Sequence, residues 1–195
     1  MPLRPTVSRE LLTRRTITCE GYDREDGLLD IEGHLVDVRG YGMNNGWRGH
    51  LPAGSAAHDM WARLTIDESL TIVSAESATD AAPYPTCPEV TPHTTRLIGL
   101  TVASGFKRKM HELIGKTEGC THIIALLEAM ATVAIQSVVA RRRAMRPADQ
   151  LAVFGATDSG RPALLDTCHS YAASSPVVAK LWPLYFRSRA PDTDT

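Results

Sequence analysis

The sequence lacks an excess of charge of either sign. Its 21 Lys and Arg residues balance 22 Asp and Glu residues, which leaves a formal net charge of −1. Proteins that bind nucleic acids or anionic membranes carry basic surfaces, so we predict neither kind of partner. The basic run Arg141–Arg143 with Arg146 lies at the C-terminal end of a predicted helix, where cations complement the negative end of the helix dipole.

Close cysteine pairs are absent, because no two cysteines form a Cys-x-x-Cys motif. The four cysteines are Cys19, Cys87, Cys120 and Cys168. This spacing favours free thiols, metal ligands or buried small residues over disulfides. The chain also begins without an apolar signal segment, and no run reaches the roughly 18–20 apolar residues that a membrane span needs. We therefore expect a soluble, cytoplasmic protein.

Glycine-rich phosphate loops and internal repeats are also missing. Gly99, Gly105 and Gly115 are too far apart to cradle a pyrophosphate, which argues against nucleotide binding. With 195 residues, of which 43% are hydrophobic, the chain is long enough to bury a sizeable core. We predict a single domain over residues 1–195, with a core at 12–146 and a C-terminal extension at 147–195 that packs on it.

Two strand pairs are present in the pattern of apolar residues. The segments Thr16–Glu20 and Leu28–Val38 flank an Asp-Gly turn, which favours a β-hairpin. A second hairpin is predicted from Met60–Ile66 and Leu70–Ala75, which flank a polar turn. Together they predict an antiparallel sheet.

Two breaker-rich segments separate these elements. Gly40–Ala57 is rich in Gly, Asn, Pro and Ser and is predicted to be a surface loop or a lid. Ala82–Pro92 contains four prolines, so it is predicted to be a stiff loop that presents Tyr84 and Cys87.

Helical spacing appears in the second half of the chain. Leu97–Ile114 and His122–Arg143 are predicted to be helices, and the second is apolar over most of its circumference, as expected for a buried central helix. The fold class is therefore α+β, an antiparallel sheet of two hairpins packed on two long helices. Leu151–Phe154 is predicted to be a short strand, and Ser175–Trp182 a short helix.

The residues capable of chemistry cluster at three places in this arrangement. His58 and Asp59 open a strand, Cys87 lies on the proline-rich loop, and Cys120 and His122 stand at the start of the long helix. Because a helix start and the strand-end loops can share one rim of a sheet, we expect these three places to meet. A weaker cluster, Asp166 with Cys168 and His169, has no predicted position.

This set allows two kinds of chemistry. Thiolates and imidazoles bind zinc or iron, which gives His58, Cys87, Cys120 and His122 as predicted ligands. The same region also suits a metal-free acid/base site, with His58 as the base and Asp59 as the residue that orients it. Arg63, on the polar face of its strand, is either solvated or an anchor for a carboxylate or acyl group.

The sequence also resembles a known protein family, which bears on the choice between these two kinds of chemistry. The sequence resembles an uncharacterised bacterial family, a domain of unknown function, over roughly residues 12–140. The residues that carry this resemblance are Arg14, Arg15, Tyr22, Asp23, Arg24, Asp26, Gly27, His58, Asp59, Met60, Asp80, Pro83, Tyr84, Cys87, Gly105, Phe106, Gly119, Cys120, Thr121 and His122. The resemblance implies a role near genes for the breakdown of aromatic or acyl-CoA compounds, including lignin-derived dimers that lose a hydroxymethyl carbon as formaldehyde.

A second resemblance is architectural. The order of strand, hairpin, cysteine loop and Cys/His helix from His58 to Val139 is similar to IscU/NifU-type iron–sulfur scaffolds. That resemblance implies cysteine and histidine ligands for a cluster or zinc. His58 stands where the scaffolds have a first cysteine, and their Leu-Pro-Pro-Val-Lys chaperone motif is absent.

Three functions remain open on these grounds. The first is a carbon–carbon lyase that removes formaldehyde from a lignin-derived aromatic dimer without a cofactor. In it His58 is the base, Asp59 its orienter, and Tyr84 and His122 proton donors, whereas the substrate contacts Arg63, Trp61 and Cys120. The second is a zinc or iron–sulfur carrier, and the third is a non-catalytic ligand-binding module. The apolar faces of the two helices would allow a homodimer.

Overall fold

The main sheet of the protein consists of two hairpins that lie side by side. In chain order the strands are β1 (Thr13–Asp23), β2 (Leu29–Arg39), β3 (Met43–Asn45), β4 (Gly49–Leu51), β5 (Ala56–Ile66) and β6 (Ile72–Ala81). Four of them form one antiparallel sheet in the order β1-β2-β5-β6, and β3 and β4 form a separate pair. The predicted antiparallel sheet and the α+β class are confirmed.

The computed structural model describes residues 7–144, 160–162 and 164–188. The chain divides into two units, Met1–Arg141 and Arg142–Thr195. The predicted packing of residues 147–195 on the core stays a prediction.

The helical elements follow the sheet. The α-helices are α1 (Phe106–Ile114), α2 (Thr121–Ala144) and α3 (Pro176–Leu181), and short 3-10 helices span Cys87–Leu97, Lys116–Glu118, His169–Tyr171 and Pro183–Tyr185. The helices predicted at His122–Arg143 and Ser175–Trp182 are therefore confirmed as α2 and α3. The strand predicted at Leu151–Phe154 lies outside the described residues.

Three predicted segments differ from the structure. Gly40–Ala57 is not a plain loop but contains the β3–β4 hairpin, in which the Asn45 side chain accepts hydrogen bonds from the Trp47 and Arg48 backbone N–H groups. The proline-rich loop is largely the Cys87–Leu97 3-10 helix. That helix tolerates its prolines because threonine hydroxyls, such as Thr91 to the Pro88 carbonyl at 2.8 Å, satisfy part of the backbone.

The helix predicted at Leu97–Ile114 begins only at Phe106. Residues 98–102 instead pair with the β5–β6 turn, where the Ile72 N–H donates to the Leu100 carbonyl at 2.9 Å. Gly105 has a left-handed φ of 84°, which ends this extended stretch and starts α1.

One face of the main sheet, here called the inner face, packs against α2. On β2 the buried residues alternate as Leu29, Ile31, Gly33, Leu35 and Asp37, and the residues between them are half-buried. At Gly33 the helix lies close against β2, because a Cβ atom there would be 2.6 Å from Met130 Sδ and 2.8 Å from Leu126 Cδ1. The opposite side is called the outer face.

Helix α2 is buried on the side that packs against the sheet, as predicted for a central helix, but its apolar circumference also includes an exposed side. Leu126, Leu127 and Met130 are fully buried, whereas Thr132, Ile135 and Gln136 are exposed, with Ile135 at 36%. Averaged over 18 residues, Thr121–Arg142 is long and apolar enough to cross a membrane, although Glu128 and Gln136 interrupt its apolar sequence. Because 44% of that window is buried inside the protein, its composition also fits the core helix of a soluble protein.

This packing predicts that substitutions on the two sides of α2 have very different effects on stability. Leu126→Ala should lower the free energy of unfolding by about 2–5 kcal/mol, because it leaves a cavity over Gly33. Ile135→Ala, on the exposed side, should cost about 1 kcal/mol or less. Urea unfolding of both variants measures the difference, and equal losses would contradict the assignment of the buried face.

Candidate functional site

Three neighbouring strands bring an arginine, a carboxylate and a histidine into one row on the inner face. In the strand register, Arg15 of β1 lies opposite Asp37 of β2, and Asp37 lies opposite His58 of β5. Directly opposed residues of antiparallel strands are close enough for their side chains to interact. Strand pairing alone therefore assembles the row.

Asp37 is the buried centre of this row, with 6% of its surface exposed. Arg15 donates from Nε to Oδ1 and from Nη2 to Oδ2, both at 2.8 Å, which is a bidentate pair. The hydrogen bonds from Arg15 lower the pKa of Asp37 below its usual value, against the opposing effect of burial. The carboxylate is therefore ionised at neutral pH.

His58 uses this carboxylate as a fixed acceptor. Its Nδ1 lies 3.1 Å from Asp37 Oδ2, and an ionised carboxylate can only accept, so Nδ1 carries the proton and donates. The same bond leaves Nε2 of His58 with a lone pair. An imidazole held in this tautomer and orientation is equipped to accept a proton from a substrate.

The start of α2 adds a second imidazole and a thiol. The His122 ring stacks on His58 with centroids 3.6 Å apart, and its Nε2 lies 3.5 Å from Asp37 Oδ2. On the other side of the ring, Nδ1 lies 3.6 Å from Cys120 Sγ, which in turn lies 3.9 Å from Met60 Sδ. We call Arg15, Asp37, His58, Cys120 and His122 the Asp37 cluster.

Electrostatics keep both imidazoles neutral at pH 7. Burial lowers the pKa of His58, and the nearby Asp37 charge only partly opposes this. Burial also lowers the pKa of His122, and charged His58 and Arg15 would lower it further. The cluster therefore combines an ionised carboxylate with two neutral, stacked imidazoles, which is a suitable arrangement for taking up a proton and passing it on.

Sequence reasoning missed Asp37 and Arg15, although a signal for Asp37 was present. Along β2 the inner-face residues alternate from Leu29 to Leu35, and the next position in that alternation is Asp37. A carboxylate that continues a buried apolar alternation requires a charged partner. Arg15 had no such signal, because β1 is exposed along almost its whole length.

Asp59 was predicted to orient His58, and the structure contradicts that role. The two are consecutive residues of β5, so their side chains point to opposite faces of the sheet. Asp59 instead lies on the outer face, where its Oδ1 is 2.7 Å from His34 Nε2. Asp37 occupies the orienting position.

The predicted substrate contacts Trp61 and Arg63 also lie on the outer face. Trp61 stacks on His34 with ring centroids 3.6 Å apart, and Arg63 bonds to Glu32 and Glu76 at 2.8 and 2.7 Å. Both residues line a shallow groove of about 340 Å³ on that face. They are therefore separated by the sheet from His58 and His122, and Arg63 is occupied by two carboxylates.

Cys87 was expected at the same rim of the sheet as the histidines, and Tyr84 was predicted to be a proton donor in the lyase reaction. Tyr84 is exposed on the loop after β6, and Cys87 begins the 3-10 helix that follows. Within the described parts of the chain, no hydrogen bond, ion pair or ring contact joins either side chain to the Asp37 cluster. Of the predicted catalytic residues, the structure thus brings together His58 and His122.

The predicted metal ligands His58, Cys87, Cys120 and His122 do not form one group. Among the residues that the structure describes, the group with metal-ligand spacing is Asp37, His58 and His122, whose ligand atoms all lie within 4.8 Å of one another. It shares both histidines with the predicted set but replaces the two thiolates with a carboxylate.

The Asp166, Cys168 and His169 segment lies in the second unit. Asp166 accepts hydrogen bonds from Arg161 Nη2 at 3.0 Å and from the Ala173 N–H at 2.9 Å. Cys168 is exposed and precedes the short His169–Tyr171 helix. These bonds give Asp166 a role in holding the local chain together.

Comparison with known proteins assigns a family. Residues 13–136 match the model of a family described as "Protein of unknown function (DUF2889)", so the chain belongs to that family. The matched region contains β1 to β6, α1 and most of α2, and with them every residue of the Asp37 cluster. No curated protein and no solved structure is significantly similar to this chain.

The lowered pKa values of the histidines predict a pH dependence of stability. As the pH falls through about 6.5, histidines of the unfolded chain take up protons while folded His58 and His122 resist protonation. The free energy of unfolding should therefore decrease from about pH 7 to about pH 5, a window above the range in which carboxylates titrate. Urea unfolding across this window measures the slope. In a His58→Gln/His122→Gln variant the slope should become smaller, and an unchanged slope would contradict the assignment.

Proposed function

We propose that this protein is a small-molecule enzyme in which His58 is the general base, Asp37 orients it, and His122 carries the proton onward. The observation that supports this proposal is the stacked, neutral His58–His122 pair beside a carboxylate that Arg15 keeps ionised. A buried imidazole in a fixed tautomer, beside a second group that can carry a proton, suits acid/base catalysis, and histidines with lowered pKa values of this kind are concentrated at functional sites.

The reaction we propose is carbon–carbon bond cleavage in aromatic catabolism, with release of formaldehyde from a lignin-derived aromatic dimer. His58 Nε2 takes the proton of a hydroxymethyl O–H, and that C–O bond becomes the carbonyl of formaldehyde. The electron pair of the broken C–C bond moves towards the aromatic system, and the carbon then takes a proton from the imidazoles. Atoms and electrons balance without an oxidant, so acid/base groups suffice.

Arg15 replaces Arg63 as the proposed contact for the substrate. Its Nε and Nη2 bind Asp37, whereas Nη1 makes no hydrogen bond within the described residues. The side chain is 42% exposed, so this nitrogen can reach a phenolate or carboxylate oxygen. Cys120 remains a proposed substrate contact because its thiol lies beside His122. We further propose that the enzyme works in the cytoplasm, where such thiols stay reduced.

A metal centre is the second candidate, because Asp37, His58 and His122 have the spacing of ligands. Two histidines and one carboxylate bind iron in many oxygenases, and three such ligands with a water bind zinc. The Arg15 guanidinium argues against a cation there, since it occupies both Asp37 oxygens at 2.8 Å. For this reason we rank the metal-free enzyme first.

The lyase proposal predicts a specific effect of one histidine. His58→Ala should lower the turnover of a phenolic dimer by about 10²- to 10⁴-fold, the share expected of a positioned acid/base group. His34→Ala is the matched control, because His34 lies on the outer face and should leave turnover unchanged. Formaldehyde trapped with a dye measures the reaction. A wild-type protein that is silent towards every candidate dimer would contradict the proposal, as would an active His58→Ala variant.

The metal candidate predicts a different pattern. If zinc or iron binds, elemental analysis should find about one ion per chain, and His122→Ala should abolish it because one of three ligands is lost. Cys87→Ser is the control and should retain the ion, because Cys87 is not in the ligand group. Retention by His122→Ala, or loss in Cys87→Ser, would contradict the Asp37 site. A metal-free active lyase would remove this candidate.

A further inference from the structure

β1 is an open edge of the main sheet. It is the terminal strand of the order β1-β2-β5-β6, and in the described residues its ladder partner is β2 alone. All of its 11 residues except Cys19 are exposed. The opposite edge is different, because the Cys87–Leu97 helix lies beside β6 and Ser77 bonds to Thr91 and Thr94 there. An exposed strand edge is a template for pairing with another strand.

The backbone groups at this edge belong to alternate residues. The Leu12 carbonyl accepts from the Gly40 N–H at 3.1 Å, and the Arg24 N–H donates to the Leu28 carbonyl at 3.0 Å. The register between these points is unbroken, so even-numbered residues of β1 bond to β2. The N–H and C=O groups of the odd-numbered residues, including Ile17, therefore face the free edge.

We propose that β1 binds β1 of a second copy of this chain, antiparallel and about a two-fold axis at Ile17. Hydrogen bonding requires odd-numbered residues of the two strands to face each other. Pairing about Ile17 satisfies this requirement and joins the two sheets into one of eight strands. The two inner faces then lie on the same side of the joined sheet.

Charge complementarity selects this register. About Ile17, Arg14 of each copy lies opposite Glu20 of the other, on the outer face. Centring the pair on Thr16 or Thr18 instead places uncharged residues opposite Arg14 and Glu20. The opposed charges occur twice in the symmetric pair, so a strand of this sequence is complementary to itself, and that favours a second copy over an unrelated partner.

Among the described residues of one chain, these same two residues have no ionic partner. Arg14 forms no ion pair in the described residues, and Glu20 receives only the Tyr22 hydroxyl, at 2.8 Å. Across β2, Glu20 faces Glu32, and like charges directly opposite destabilise a sheet. An arginine from a second copy would offset this repulsion.

Exposed apolar residues meet in the same register. Leu12 and Tyr22, which are 66% and 45% exposed, lie opposite each other across the proposed pair, and Ile17 faces Ile17. Each such contact removes apolar surface from water. The register that pairs the charges therefore also pairs the apolar side chains.

Charge reversal tests the pairing. Wild-type protein should sediment as a dimer at micromolar concentration, and Arg14→Glu or Glu20→Arg alone should raise the dissociation constant about tenfold or more. An equimolar mixture of the two variants should form a heterodimer, because each reversed charge then meets its opposite. A monomeric wild type, a dimer that ignores both reversals, or a mixture that fails to associate would overturn the proposal.

Disulfide crosslinking tests the register of the proposed β1–β1 pair directly. In a Cys168→Ser background, Ile17→Cys should crosslink to itself under mild oxidation, since hydrogen-bonded opposite residues have Cα atoms about 5.5 Å apart. Thr18→Cys is the control and should not crosslink to itself, because it faces Thr16. Stronger crosslinking of Thr18→Cys than of Ile17→Cys would overturn the register. Neither test depends on the proposed enzyme function.

Discussion

The structure around the candidate site depends on one interaction, the buried bidentate pair between Arg15 and Asp37. An unpaired carboxylate with 6% exposure would be too costly to ionise, and burial would raise its pKa. The guanidinium reverses this outcome and fixes both oxygens in the sheet. Each histidine near Asp37 then meets a constant negative charge in a constant position. This fixed charge holds the proton of His58 on Nδ1 and leaves its Nε2 free to accept one.

Close packing of α2 on the sheet delivers the other half of the cluster. At Gly33 the helix approaches so closely that a methyl group would overlap Met130 and Leu126, and at Gly21 it would overlap Ser137. Two glycines on neighbouring strands therefore let the helix lie against the backbone. Because the helix is long and rigid, this contact also fixes the position of its first turn, where His122 stacks on His58.

The sequence predicted most of the fold and about half of the candidate site. Both hairpins and α2 follow from local alternation and helical spacing, which depend on nearby residues alone. The helix predicted before Phe106 was wrong. Backbone hydrogen bonds to Leu70 and Ile72, which are distant in sequence, determine the conformation of that segment. His58 and His122 were found as residues of the right chemistry. Cys120, the neighbour of His122, was also predicted, but Asp37 and Arg15 were not, since Arg15 meets Asp37 only through the strand register, which requires the fold.

Alternate residues of a β-strand point to opposite faces of the sheet. This alternation explains why Asp59 was wrongly predicted to orient His58, and it also connects the site to the free edge of β1. Asp59 follows His58 in sequence but lies on the other face, whereas Asp37, 21 residues away from His58, lies beside it. The same alternation gives Arg15 two roles, because its side chain binds Asp37 on the inner face while its backbone groups face the open edge. Association of a second copy along that edge would shield the guanidinium from water. Since charged pairs interact more strongly away from water, assembly at β1 would tighten the Arg15–Asp37 pair on which the orientation of His58 depends.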